Sequence, residues 1–265
     1  MKQSLPQEVH QLMQAFLHLL NTYFSKDLME GVYIYGSTAL GAFEQEKSDI
    51  DFIVLLKRTV NKQEIEILKG IHIQLSNENI GARLDGMYVL KDDIGKINDS
   101  LAPYPYCSDG CLEVGHWDIN HVTWWVLKEY GNVLQGTPII ELGIATKWED
   151  VFNTLKYNIN EYWYSKAKEI RGSVSDEMVE FATTTICRIL YSLEKKEIIS
   201  KKIALENGID TLPERWKPLL MEGLRIRLSR QTESLFNTES LRAEACRDFV
   251  FFAHELCNDK YFLEV

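Results

Sequence analysis

Residues 32–56 read VYIYGSTALGAFEQEKSDIDFIVLL, and this one stretch limits what the chain can fold into. A short β-rich run, Val32 to Tyr35, stops at Gly36-Ser37, and the next apolar run, Ile50 to Leu56, is interrupted at its start by Asp49 and Asp51. A buried strand does not accept carboxylates without a partner. Two apart in strand geometry, Asp49 and Asp51 share a face, where like charges disfavour each other unless a cation neutralises them. Mg²⁺ suits such a pair, because it takes hard oxygen ligands and completes its shell with water and phosphate. Gly36-Ser37 suits the phosphate: glycine permits close backbone approach, and the Ser hydroxyl and nearby amides can contact its oxygens. The Gly-Lys-Ser/Thr ending of a Walker loop is absent, and Gly36 and Gly41 have the wrong spacing for a dinucleotide fingerprint.

The flanking pattern places this motif on a sheet. Leu12, Phe16, Leu19, Leu20 and Tyr23 recur on one face of a helix expected over residues 7–25. Ile65, Leu68, Ile71 and Leu75 mark a second helix after the DxD strand. Leu84 to Leu90 reads as a third strand, with Asp85 and Met87 on one face and Leu84, Gly86 and Tyr88 on the other. Asp85 thereby offers a third oxygen donor at the same edge, enough to hold one or two Mg²⁺ ions against a triphosphate. Residues 100–115, rich in turn formers and aromatics, are expected as a loop along a cleft, followed by a helix at 118–130 and a stop at Gly131, Gly136 and Pro138. Beyond residue 145 the periodicity is helical, strongest at 149–168, 176–195, 213–230 and 238–257. The expected architecture is a mixed-sheet α/β domain, residues 1–145, followed by an all-α helical bundle, residues 146–265, with no flexible linker or repeat.

Charge and composition narrow the function classes. A formal charge of −10 argues against a nucleic-acid partner, which needs a basic face, and is compatible with a cationic one. The opening MKQSLPQEVH has no apolar secretory core, no run reaches membrane-spanning length, and five cysteines are too few for a disulfide framework. The cytoplasm is the expected compartment, with no membrane and no obligate protein partner. Cys107, Cys111, His116 and His121 have metal-like spacings, but the neighbouring aromatics favour unrelated core and loop positions over a zinc site.

YGSTALGAFEQEKSDIDFIVLL resembles the nucleotidyltransferase motif of the DNA polymerase beta superfamily. Within it the chain is similar to bacterial aminoglycoside adenylyltransferases of the streptomycin/spectinomycin type. ARLDGMYVL resembles their third-carboxylate strand, WVLKEYGNVLQGTPI their helix and Gly turn, and residues 149–257 their helical C-terminal domain. The resemblance implies a mixed-sheet nucleotidyltransferase domain in which Asp49 and Asp51 bind catalytic Mg²⁺ and Gly36 and Ser37 hold the triphosphate of ATP. The family's catalytic base is Glu; the matching residue is Asp85, which keeps the carboxylate, shortens its reach, and can act as base, metal ligand or both. TICRILYSLEKKEIISKKIA matches the family region that supplies a nucleotide-contacting lysine and an arginine, here Lys201 and Arg188.

The family's DERN segment, which contributes acidic aminoglycoside contacts, falls on MVEF, residues 178–181, so those contacts do not transfer. Asp176, Glu177 or Glu180 can supply charge nearby, and Glu113, Trp117 and Asp118 occupy the acceptor-loop region. The reaction implied is Mg²⁺-dependent transfer of AMP from ATP to a hydroxyl of an aminoglycoside or aminocyclitol, which would inactivate the antibiotic. The competing readings are adenylylation of another small hydroxylated compound such as a lincosamide, a protein-modifying nucleotidyltransferase, and a non-catalytic nucleotide-binding protein.

Overall fold

A computed structural model describes residues 5–25, 27–78, 80–229 and 233–263. The chain divides into two compact units, residues 1–147 and 148–265.

The first unit is built on a six-stranded mixed sheet in the order β5-β4-β3-β2-β1-β6. β1 (Met29–Ile34) and β2 (Ile50–Leu56) run antiparallel, and β2 and β3 (Leu84–Leu90) run parallel, in register from Ile50↔Leu84 to Leu56↔Leu90. The two-residue period sorts the sheet's faces. Val32, Ile34, Phe52, Val54, Leu84 and Tyr88 turn toward α1 (Gln7–Tyr23) and α3 (Lys62–Ser76), whose Leu12, Phe16, Leu20, Leu68 and Ile71 complete one core. Full burial of each such side chain contributes about 1.5–3 kcal/mol, and Phe16 meets Phe52 edge-on with ring centroids 5.1 Å apart. Buried His72 is hydrogen-bonded to the Tyr88 hydroxyl at 2.7 Å, and burial pushes its pKa down to about 4, so it is neutral in the core. The other face carries Tyr33, Asp51 and Asp85. α3 starts cleanly because Asn61 and Glu64 form a reciprocal capping box.

Two expectations fail in this unit. Residues 100–115 are not a plain loop: β4 (Tyr104–Ser108) and β5 (Cys111–Gly115) form a hairpin that extends the sheet beyond β3. Its two-residue turn is Asp109-Gly110, both at positive φ (50° and 74°), a conformation this dipeptide favours in hairpins. The Gly131–Pro138 region is also more than a stop. After α4 (His121–Tyr130), capped by Asn120, β6 (Asn132–Gly136) pairs antiparallel with β1 as an edge strand. α4 itself begins three residues later than expected, because the Asn120 side chain accepts from the amides of Val122 and Thr123.

The second unit is all-helical. α5 (Trp148–Tyr157) passes through a π-helical segment, Asn158–Trp163, into α6 (Tyr164–Glu169). The central α7 (Asp176–Lys195) buries Val179, Ala182, Ile186 and Leu193. It packs on α8 (Lys201–Thr211), which was absent from the strongest periodic segments, on α9 (Lys217–Arg227) and on α10 (Glu239–Lys260). α9 is shorter than the 213–230 expectation because a 3-10 turn, Glu214–Trp216, precedes it, and Arg230 lies outside the described residues. Ser175, Ser200 and Thr238 each cap a helix with a side-chain oxygen.

A buried ion network ties three of these helices together. Glu222 is fully buried and accepts from Arg225 at 2.9 Å, from Ser234 Oγ at 2.7 Å and from the Leu235 amide at 3.1 Å, with Arg242 at 3.4 Å. Burial alone would raise its pKa, but hydrogen bonds from Arg225, the Leu235 amide and Ser234 hold it at about 2. Glu222→Ala leaves the largely buried Arg225 and Arg242 with only the half-exposed Asp176 of α7 as a carboxylate partner and is expected to cost about 3 kcal/mol, read by denaturant unfolding of the wild type and variant. Since the native pKa lies below the unfolded one, this contribution is present above pH ~4.5 and fades as pH falls toward about 2.

Candidate active site

The Gly-Ser turn and the DxD strand close on each other. β1 ends at Ile34, Tyr35 is extended, and Gly36 at φ +63° turns the chain into the four-residue helix α2 (Gly36–Ala39). A Cβ built on Gly36 would lie 1.8 Å from Asp51 Oδ2. The carboxylate of β2 therefore occupies the space that any side chain at position 36 would fill, and the backbone conformation is one that only glycine adopts without strain. The Ser37 and Thr38 hydroxyl oxygens beside it are buried with no hydrogen-bond partner. Buried hydroxyls are normally satisfied, so the two hydroxyls of this turn stand out as making no hydrogen bond.

Asp51 and Asp85 are register partners on the parallel strands β2 and β3, and both are half-buried on the same face. Asp49 is exposed and sits one residue before β2, outside the regular strand, yet its charge is felt at Asp85. Burial pushes the Asp85 carboxyl up to about 6; a hydrogen bond from Trp117 opposes this, and the charges of Asp49, Asp118 and Asp109 add to it. Trp117 Nε1 donates to Asp85 Oδ1 at 2.6 Å. Among the described residues no group of three His, Cys, Asp or Glu side chains is arranged as a metal cage. What the site offers is an adjacent carboxylate pair, Asp51 and Asp85, with Asp49 near. That donor set fits a hard divalent ion whose other ligands are water and phosphate oxygens.

Sequence reading passed over Tyr35. It is buried, and its pKa is raised well above 10, first by burial and then by the charges of Asp51, Asp118 and Asp85. The available signal was the alternation Tyr33-Ile34-Tyr35, which puts both tyrosines on the Asp51 face.

The remaining candidates separate by unit. Trp117 touches Asp85, Asp118 lies next to it in the chain, and Glu113 accepts from the Tyr106 hydroxyl at 2.6 Å on the hairpin. Cys107 is buried in β4 and Cys111 exposed on β5, while His116 is hydrogen-bonded to the Leu101 carbonyl at 2.9 Å. In the second unit, Arg188 is on α7 and Lys201 opens α8. Of the three proposed acidic substitutes on α7, two are engaged within their own unit. Asp176 pairs with Arg242 at 2.5 Å and Arg225 at 3.5 Å, and Glu180 pairs with Arg227 at 2.7 Å. Glu177 is exposed in the first turn.

Comparison with known proteins bears on each unit in turn. Residues 19–104 match the nucleotidyltransferase domain family, and residues 149–252 match the aminoglycoside adenylyltransferase C-terminal domain. The first unit thus contains a nucleotidyltransferase domain, and the second is related to the C-terminal domain of the aminoglycoside adenylyltransferases. It is 22% identical to the aminoglycoside (3'') (9) adenylyltransferase of Escherichia coli, over 95% of this chain and 96% of that protein. Its fold is similar to that of the spectinomycin adenyltransferase AAD(9) of Enterococcus faecialis, solved with ATP and spectinomycin. The match has a TM-score of 0.65 at 16% identity and covers 91% of this chain and 99% of the other. No helix among the described residues is long and apolar enough to cross a membrane.

Proposed function

We propose that this protein transfers AMP from ATP to a hydroxyl of a small cationic antibiotic, an aminoglycoside or aminocyclitol of the streptomycin or spectinomycin kind. The observation that carries the reading is the fit of Asp51 Oδ2 into the space left by Gly36. It supports treating the Gly36-Ser37 turn, proposed to cradle phosphate, and Asp51, proposed to hold the metal, as parts of one site. Asp49 and Asp51 would hold Mg²⁺, with Asp85 at its edge. The bound ions would neutralise charge on the transferring group and on departing pyrophosphate. The turn that Gly36 opens would bring backbone amides to the triphosphate, and the Ser37 hydroxyl, unpartnered in the structure, would donate to a phosphate oxygen. Asp85 takes the proton of the acceptor hydroxyl as its oxygen bonds to the α-phosphorus. Its raised pKa suits that role, since a carboxylate near 6 is a better base than an ordinary one. By the family resemblance, Lys201 and Arg188 bring positive charge to the nucleotide. Asp176 and Glu180 pair with arginines, so Glu177 is the α7 residue proposed first for acceptor contact, and Glu113 and Asp118 are the candidates of the first unit.

The nucleotide half is tested by Gly36→Ala. Strain at positive φ is expected to cost about 1–2 kcal/mol of stability, and displacement of Asp51 should weaken Mg²⁺–ATP binding by more than tenfold in calorimetry. Unaltered nucleotide affinity would separate the turn from the site. For the acceptor, purified enzyme with ATP and Mg²⁺ is offered streptomycin, spectinomycin, other aminoglycosides and a lincosamide, and products are weighed and mapped by mass spectrometry. One AMP added to an aminoglycoside or aminocyclitol is the expected result. AMP on the lincosamide, or on a protein in place of any drug, would replace the proposed acceptor.

A further inference from the structure

Trp117 is held in place from several directions. Its amide donates to Tyr104 Oη at 2.8 Å. Tyr104 Oη in turn donates to Asn98 Oδ1 at 2.7 Å, and Asn98 Nδ2 donates back to the Trp117 carbonyl. Tyr104, Asn98 and Trp117 thus close a hydrogen-bonded ring that satisfies both backbone groups of Trp117. Its indole lies flat on Tyr106, with centroids 5.0 Å apart and planes within 3°, and the Tyr106 hydroxyl is anchored on Glu113 at 2.6 Å. Two strands of the hairpin, β4 and β5, supply Tyr104, Tyr106 and Glu113, and the 3-10 turn Asn98–Ser100 supplies the amide. The indole N–H that this framework fixes ends on Asp85 Oδ1 at 2.6 Å.

A short carboxylate can rotate about two bonds, and only some orientations present an oxygen to a bound hydroxyl. We infer that Trp117 is the positioning residue of Asp85: its indole N–H holds Oδ1, fixes the plane of the carboxylate and leaves Oδ2 to take the acceptor proton. The ring of Tyr104 and Asn98 keeps Trp117 in register for that task. This inference rests on the transfer reaction proposed above, and it gives Trp117 a different task from acceptor contact. A hydrogen bond to a charged group is worth about 1.5–3 kcal/mol, which corresponds to a rate effect of about 10- to 100-fold if it is needed in the transition state.

The test uses Trp117→Phe, which keeps an aromatic ring on Tyr106 and deletes the N–H. With ATP, Mg²⁺ and whichever acceptor the wild type modifies, kcat should fall about 10- to 100-fold, while KM for ATP and acceptor stays within about twofold. In an Asp85→Asn background the same substitution should cost less than about threefold, because there is no base left to position. Tyr104→Phe, which opens the ring without touching the indole, should give a smaller loss of kcat. A rise in acceptor KM at constant kcat, or an equal loss in both backgrounds, would overturn the inference and make Trp117 an acceptor platform or an independent contributor. One arm needs no substrate. In a ¹⁵N-indole spectrum of the six tryptophans, the signal lost in Trp117→Phe should exchange slowly and should shift in Asp85→Ala, with little change in the other five. An indole signal indifferent to Asp85→Ala would sink the inference whatever the kinetics. If the wild type modifies no acceptor while this signal responds, the transfer reading fails and the Trp117–Asp85 contact stands.

Discussion

Asp51→Asn is expected to lower AMP transfer by about 10²–10³-fold, the scale of losing one preorganised electrostatic group, while the first unit stays folded. Asn has nearly the shape of Asp, so the side chain still fills the space beside Gly36 that a Cβ would enter to within 1.8 Å. What disappears is a negative charge next to Asp85, its register partner on β3. Mg²⁺ then binds more weakly in the presence of ATP, and part of the lost rate should return as Mg²⁺ is raised. Steady-state rates across a Mg²⁺ series, paired with circular dichroism, check both halves. Near-normal transfer at ordinary Mg²⁺ would remove the metal-ligand role from Asp51. Asp49→Asn is expected to act in the same direction, although Asp49 is exposed and stands just outside β2.

The part of the site legible in the sequence is the part written in local pattern. Period-two alternation through Ile50–Leu56 and Leu84–Leu90 was enough to put Asp51 and Asp85 on the face opposite Phe52 and Tyr88, and the structure pairs them directly. Gly36 was legible as a place for close approach, but not that the approaching group is Asp51, because that depends on how β1 meets β2. The hairpin was missed for a different reason. Tyr-Pro-Tyr reads as irregular, and the informative pair, Asp109-Gly110, lay in a segment already read as loop. β6 was missed because five residues ending in glycine carry little periodicity of their own and become a strand only by pairing with β1. The acidic residues of α7 show the limit most clearly. Asp176 and Glu180 read as surface charges near an acceptor; Arg242, Arg225 and Arg227 come from helices 47 to 66 positions later and meet them only in the fold. Trp117 likewise read as an acceptor-loop aromatic, and its bond to Asp85 spans 32 positions.

Asp85→Asn should separate catalysis from stability. Loss of a general base lowers rate by about 10²–10⁴-fold, and here the substitution keeps the shape and an oxygen able to accept from Trp117 Nε1. ATP–Mg²⁺ binding should therefore fall far less than turnover; calorimetry showing an equal fall would assign Asp85 chiefly to the metal. Stability should move the other way. Burial, with the neighbouring charges of Asp49, Asp118 and Asp109, raises the Asp85 pKa to about 6, above its unfolded value of 3.8, despite the Trp117 hydrogen bond. A carboxyl whose folded pKa is raised is costly to the fold when ionised, so the native state carries this penalty in full above pH ~6 and is free of it below pH ~4. Two pK units correspond to about 3 kcal/mol, which partial solvent exposure screens to on the order of 1–2 kcal/mol. Metal-free Asp85→Asn is accordingly expected to melt about 2–6 °C above the wild type at pH 7, with the gain shrinking to nothing as pH falls toward 4. The wild type's own rate should fall with acid, because the base must be ionised; kcat/KM should drop at a pH no higher than about 6, and lower where bound Mg²⁺ draws the proton off. Melting curves of the two proteins in chelator at pH 4, 5.5 and 7 decide the matter: a variant less stable than the wild type at pH 7, or a gain that does not depend on pH, would mean that Asp85 does not carry this burial penalty.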